Sequence, residues 1–421
     1  MKKALFLAIA CMGGVIGASS ESFAQALSNR VASSPARSVQ FSYAARPGVC
    51  GDGETFISTR DGFVGSYSTS DSRQCQAGPV RVVLDVADRA VTGLRSYVGG
   101  GTARPGVEDL GTVQPAEAAD YLLTVAARAD GRVGRDAIFA ALLGDNVDAS
   151  TRLLDIARDT GRPLETRSAA VSGLARSSAR DLDRVGAALI QMARNEDDSQ
   201  RIRTHALAAL ARLEGGAGVQ PLIQLANGNT TSWIGRESMS VLARSGDPRA
   251  RQFLRTVVQR TDLPDEMLAA AIRGLGGSYV TGQDAQLLRS IFPRLTGASS
   301  QNAVLAGVAN LGGTDNVQWL MAIIRDERVP SELRRRALQH ARRAGAPTAS
   351  LVALYDPTED TQIRASLISF YASDPNKAAT DKLVSIARNE QNLTLRRRAI
   401  SALSRTSDPS AKQALQAIVE Q

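Results

Sequence analysis

Two periodicities divide the chain. Between about residues 38 and 98, apolar and polar positions alternate in short runs, as in Val39-Gln40-Phe41-Ser42-Tyr43. Alternation of this kind places one face of a strand in a core. Val80–Ala87 and Ala90–Val98 flank Asp88-Arg89, which reads as a two-residue hairpin turn. Thr55–Ser58 and Phe63–Tyr67 are shorter runs split by Asp61-Gly62. Together these predict a small antiparallel β meander of four or five strands over 38–98. The polar stretch 25–37, with Ser28, Asn29, Ser33, Ser34 and Pro35, predicts a flexible leader. Glycines 99–101 and the Pro105-Gly106 pair predict a linker over 99–115. No helix pattern follows these glycines directly, so they do not read as a phosphate cradle.

From 116 to 421 the period is helical. Ala118, Tyr121, Leu122, Val125 and Ala126 share one helix face. A small or apolar residue then recurs about every 32 residues, at Ala170, Ala206, Ser238, Ala271, Ala303, Ala337, Leu367 and Ala399. The sharpest internal match is Leu333-Arg334-Arg335-Arg336-Ala337-Leu338 against Leu395-Arg396-Arg397-Arg398-Ala399-Ile400. Each period holds two helices. The first carries Arg-x-x-Ala, as at Arg167, Arg203, Arg334 and Arg396; the second carries an aliphatic pair, as in Leu222-Ile223, Leu287-Leu288 or Leu383-Val384. Turns such as Ser245-Gly246-Asp247-Pro248 supply a helix stop, an N-cap and a first-turn proline. One such pair cannot bury both its faces. Stacking about eight or nine of them predicts a mainly α chain, an α-solenoid preceded by the β domain.

Arg-x-x-Ala, the Gly/Ser-Asp-Pro turn and the aliphatic pair at this short period resemble bacterial HEAT-like repeats, the type also found in phycobilin lyases. The resemblance spans roughly residues 130–421. It implies an α-solenoid and protein–protein interaction, and its matching positions are scaffold positions. No lyase or DNA-glycosylase site motif comes with it.

The ends and the cysteines set the expected compartment. Lys2 and Lys3 precede an apolar run, Ala4–Ala18, and Ser22-Phe23-Ala24 offers small residues before Gln25. This reads as a signal peptide over 1–24, and hence a periplasmic or extracellular protein without a membrane span in its mature form. Lipidation at Cys11 is the weaker alternative, because Met12–Gly17 would leave an apolar stretch directly after the modified residue. Removing the signal leaves Cys50 and Cys75, an even pair that predicts one disulfide, worth roughly 3 kcal/mol by loop entropy.

Composition narrows the chemistry. Aromatic residues make up 4% of the chain and histidines number two, His205 and His340, so a His-based metal site or triad is disfavoured. The net charge is +8, and the basic excess lies beyond residue 150. Scarce Lys and the export signal argue against nucleic acid, leaving solvated helix faces as the simpler account. Arg334 and Arg396 are expected to brace adjacent repeats. Acidic pairs such as Asp197-Asp198 and Glu359-Asp360 read as caps and solvated turns. No catalytic residue, metal or cofactor is expected.

Aligning second helices on their aliphatic pairs puts Gln252, Gln286 and Trp319 at one outward position. Arg255 and Arg289 lie three residues further on in their helices. If second helices line a concave face, these five residues form a ladder for a protein or peptide partner in the cell envelope, with Trp319, Arg255 and Arg289 as anchors. The alternative for Trp319 is that it folds sideways onto a neighbouring repeat. The expected function is an exported, non-enzymatic scaffold or peptide-binding protein. A lyase-like enzyme or enzyme accessory using the groove, and anion or nucleic-acid binding through the basic solenoid, are the other classes.

Overall fold

The 32-residue period becomes antiparallel helix pairs because each helix carries small residues on one side and aliphatic ones on another, and only stacking buries both. In the computed structural model, residues 20–59, 65–66, 75–100, 106–129, 131–177, 179–228, 230–405 and 409–419 are described. The chain divides into two compact units, residues 1–218 and 219–421.

The first unit begins with a helix, α1 (Ser20–Ser33). The flexible leader expected over 25–37 is therefore corrected. Leu27 is fully buried and Val31 nearly so, because these two apolar residues, one turn apart, dock α1 on α2 (Pro115–Arg128). Most of the expected signal segment lies outside the described residues.

Among the described residues seven strands follow: β1 (Ser38–Tyr43), β2 (Val49–Gly51), β3 (Phe56–Thr59), β4 (Gly65–Ser66), β5 (Val80–Ala87), β6 (Ala90–Val98) and β7 (Glu108–Thr112). They form two sheets, ordered β6-β5-β1-β7 and β2-β3-β4, rather than one meander. The β5–β6 hairpin matches the sequence reading. Asp88 and Arg89 both take positive φ, 50° and 62°, as a type I′ turn requires. Strand β7 lies in the segment expected to be linker and pairs parallel with β1. Cys50 and Cys75 are joined by a disulfide, beside the bridge between Gly51 and Gln76.

The β region is not a separate module. Tyr43 Oη donates to the carbonyl of Ala140 at 2.6 Å, and burial pushes its phenol pKa up. Phe41 meets Tyr121 edge to face. These contacts seat the larger sheet on α2 and α3 (Gly131–Ala141). The stack continues through α4 (Ser150–Arg158), α5 (Leu164–Gly173), α6 (Leu182–Arg194) and α7 (Gln200–Ala211).

The second unit is helical: α8 (Val219–Gly228), α9 (Trp233–Arg244), α10 (Pro248–Val257), α11 (Asp265–Leu275), α12 (Gly282–Ile291), α13 (Ala298–Leu311) and α14 (Thr314–Arg325). Then come α15 (Ser331–Arg343), α16 (Thr348–Val352), α17 (Thr361–Tyr371), α18 (Lys377–Asn389), α19 (Leu393–Leu403) and α20 (Pro409–Val419). First helices α9, α11 and α13 pack closely on one another. At the α11–α13 crossing the backbones nearly touch: a Cβ on Gly276 would lie 2.4 Å from the Cα of Gly307. Only glycine fits there.

The repeat arginine has a fixed task. Arg167, Arg203 and Arg334 each donate Nε to the carbonyl ten residues back, at Ala157, Ala193 and Ile324, at 3.0, 3.1 and 2.8 Å. That carbonyl ends the preceding second helix, where backbone acceptors lack intrahelical partners. The bracing role expected for Arg334 is thus observed.

Candidate functional site

Among the described residues three buried ion-pair clusters join successive helix pairs. In the first unit, Arg167 grips Asp198 through two guanidinium nitrogens, at 3.0 and 2.5 Å. Both side chains are under 10% exposed. The expectation that Asp198 is a solvated turn residue is corrected. Burial acts to raise its pKa, but the Arg167 bonds and the Ser199 amide outweigh it and hold the carboxyl below its usual range. Asp360, by contrast, caps α17 through the amides of Gln362 and Ile363.

In the second unit, Asp284 has no exposed side-chain surface. Arg251 donates to its Oδ2 through Nε and Nη2 at 3.1 and 2.6 Å, and Arg255 Nε to Oδ1 at 2.8 Å. The Thr281 hydroxyl donates at 2.5 Å, closing a capping box at the start of α12. Burial alone would push the carboxyl up. The bonds from Arg255, Thr281 and Arg251 outweigh it and hold Asp284 at about 2. The sequence reading missed Asp284. Its signal was Thr281-x-x-Asp284, a capping pattern one period after an Arg.

A third cluster replaces the carbonyl brace. Arg364 reaches forward to Glu390 instead of back. The carbonyl ten residues earlier, Leu354, is taken by the Thr358 hydroxyl at 2.5 Å, and α16 is only five residues long. The Arg364 guanidinium lies 4.4 Å from the centre of the Tyr355 ring. Burial and then Glu390 push the Tyr355 phenol pKa up.

The proposed ladder is only partly free. Gln252 and Gln286 are exposed, and Arg289 is half-buried. Arg255 donates its Nε to Asp284 and keeps about a third of its side chain exposed. Trp319 is half-buried and meets Phe292 edge to face at 5.3 Å between ring centres; Phe292 belongs to the preceding repeat. The first helices α9, α11 and α13 pack more closely on one another than the second helices α10, α12 and α14 do. His205 Nδ1 lies 2.9 Å from the Ser172 hydroxyl on α5, a partner in the adjacent repeat and not on its own helix. Burial, then Arg201 and Arg212, hold its pKa below the usual value.

A cleft of about 260 Å³ opens beside the Asp284 cluster. Its floor includes Leu242 and Leu254, and Arg244, Arg251, Arg273 and Tyr279 contribute to its walls. Among the described residues no group of three or more His, Cys, Asp or Glu side chains is placed to hold a metal. None of the described helices is long and apolar enough to cross a membrane.

Part of the stack is similar in sequence to a known class of helix-pair repeat. Residues 186–276 match the family model described as HEAT repeats. A solved structure of human deoxyhypusine hydroxylase in complex with glycerol aligns over 57% of this chain and 90% of its own, at 20% identity and a TM-score of 0.27. A likeness at that score carries no argument about function. No curated protein matches the chain.

Proposed function

We propose that the protein is an exported, non-enzymatic HEAT-like repeat scaffold that binds a protein or peptide partner in the cell envelope. The observation that carries this reading is where the buried charge goes. Arg167–Asp198, Arg251/Arg255–Asp284 and Arg364–Glu390 each tie one helix pair to the next. Charge spent this way stiffens the stack and leaves an extended side-chain surface for contact. Supporting export are the Lys2-Lys3 and Ala4–Ala18 pattern and the Cys50–Cys75 disulfide, a bond that persists in oxidising compartments.

The test is affinity capture from an envelope fraction with the intact mature chain as bait, read by mass spectrometry, together with N-terminal sequencing. The expected result is a chain beginning near Gln25 and a partner enriched over mock bait. A chain retaining Met1 in the cytoplasm, or no enrichment from any fraction, overturns the reading.

A further inference from the structure

We infer that the cleft between the turn joining α9 to α10 and the end of α11 is a docking site for an acidic, aliphatic-rich peptide segment of a partner protein. This rests on the scaffold reading and names the chemistry of the partner. The site is lined by cations whose charge the protein does not fully neutralise. Arg273 is exposed and makes no side-chain bond among the described residues. Arg244 is 67% exposed, and its nearest acid, Glu237, is 3.6 Å away, a separation and exposure at which pairing is weak. Arg251 is held in place: its Nε and Nη2 are bound by Asp284, and Nη2 also donates to the carbonyls of Leu275 and Tyr279. These bonds leave Nη1 as a fixed donor. One carboxylate, Asp284, faces two arginines, so that cluster keeps a positive charge.

The acid that lines the cleft does not offset these cations. Asp247 is bound by Arg249 at 2.8 Å and caps the first turn of α10. The Arg249 bond lowers its pKa; burial acts to raise it, but that bond and the Arg249 and Ala250 amides outweigh it and keep Asp247 a carboxylate. It is therefore committed to a neighbour and a helix end.

The rest of the cleft selects a peptide over a small anion. It lies at the C-terminal ends of α9 and α11, where helix carbonyls carry partial negative charge. A compact anion pressed against that backbone is disfavoured. Guanidinium groups that reach outward can instead hold carboxylates clear of it, bidentately. Leu242 and Leu254 supply an apolar floor for aliphatic side chains. Tyr279, 73% exposed, stands at the site as an aromatic anchor of the kind that concentrates interface energy.

The probe is a short fluorescein-labelled peptide of alternating Glu and Leu, followed by anisotropy with the full mature chain. Its Gln–Leu counterpart and inorganic phosphate serve as comparison and competitor. The Glu–Leu peptide is expected to bind at least about tenfold more tightly than the Gln–Leu peptide. Arg273→Glu should weaken it by about tenfold and Tyr279→Ala by several-fold, while Arg273→Lys stays within about threefold. Arg335→Glu, on α15, should leave binding unchanged. Gly246→Asn is a second variant. Gly246 has φ 70°, which Asn tolerates, and a Cβ there lies 3.9 Å from the Tyr279 ring, so the added side chain should narrow the cleft and weaken binding.

Equal binding of the Glu and Gln peptides, unaltered binding by folded Arg273→Glu, or full displacement by phosphate at comparable concentration would overturn the inference. Envelope capture separates the two levels. If wild type and Arg273→Glu capture the same partner equally, the acidic-peptide site falls and the scaffold reading stands. If the peptide binds but no partner is captured, the site stands and the scaffold reading falls.

Discussion

Replacing Asp284 with Asn should cost the second unit about 2.5 kcal/mol at neutral pH. The substitution keeps shape and capping ability but removes the charge that Arg251 and Arg255 share. Asp284 is lowered from 3.8 to about 2, and at 1.36 kcal/mol per unit that shift is worth roughly 2.5 kcal/mol. Removing one member of a buried pair typically costs about 3–5 kcal/mol. Here Arg251 and Arg255 retain 20% and 31% side-chain exposure, so water relieves part of their mutual repulsion and the lower figure governs. For a unit of this size the loss corresponds to a fall in Tm of about 5–10 °C. The pH dependence is specific. A carboxyl whose folded pKa is depressed stabilises the fold above its unfolded pKa, and that contribution is lost as pH falls toward the folded value. The gap between wild type and Asp284→Asn should therefore shrink to about 1.3 kcal/mol at pH near 3. Thermal melts at both pH values, with hydrogen exchange to localise the change to α10–α12, decide it. A shift under about 2 °C at pH 7, or a gap that does not narrow with acid, refutes the reasoning.

Three further outcomes are expected. Trp319→Ala should lower stability by about 1–2 kcal/mol through loss of the edge-to-face contact with Phe292; an unchanged melting temperature would return Trp319 to the binding surface. Cys50 and Cys75 enclose a separation of 25 residues, so the double serine variant should lose roughly 3 kcal/mol in the first unit, and intact mass before and after alkylation should show no free thiol in the mature chain that begins near Gln25. His205 should titrate below 6.5, its usual value, when followed by NMR. Because its folded pKa is depressed, its neutral form stabilises the fold above that usual value, and this contribution is lost as pH drops below it. A midpoint at or above 6.5 contradicts the burial argument.

What the sequence made legible was whatever repeats. Helix pairs, close alanine and glycine approaches and the bracing arginines recur, so each copy supports the others. The Asp88-Arg89 hairpin was legible because a two-residue turn between alternating runs has few readings. Helix α1 was hidden because Leu27 and Val31 are its visible apolar anchors among polar neighbours. Strand β7 was hidden because Glu108–Thr112 lacks alternation; it is held by pairing with β1 rather than by its own side chains. Asp284 and Glu390 escaped notice, and Asp198 was read as solvated, because their burial depends on an arginine about one repeat away. The bond from Arg255 to Asp284 was hidden for the same reason: spacing placed Arg255 on an outward position, and the acid it meets lies one repeat further along.

The arginine brace has a consequence for how such a chain folds. Each of these bonds closes a loop of only ten residues, between Arg167 and Ala157, Arg203 and Ala193, or Arg334 and Ile324. A contact that short in sequence carries little closure entropy and can form before distant segments meet. Each helix pair can then be fastened to its predecessor as soon as its own first helix has formed. Growth by duplication of a repeat would carry the fastening with it, since donor and acceptor travel within a single stretch of chain.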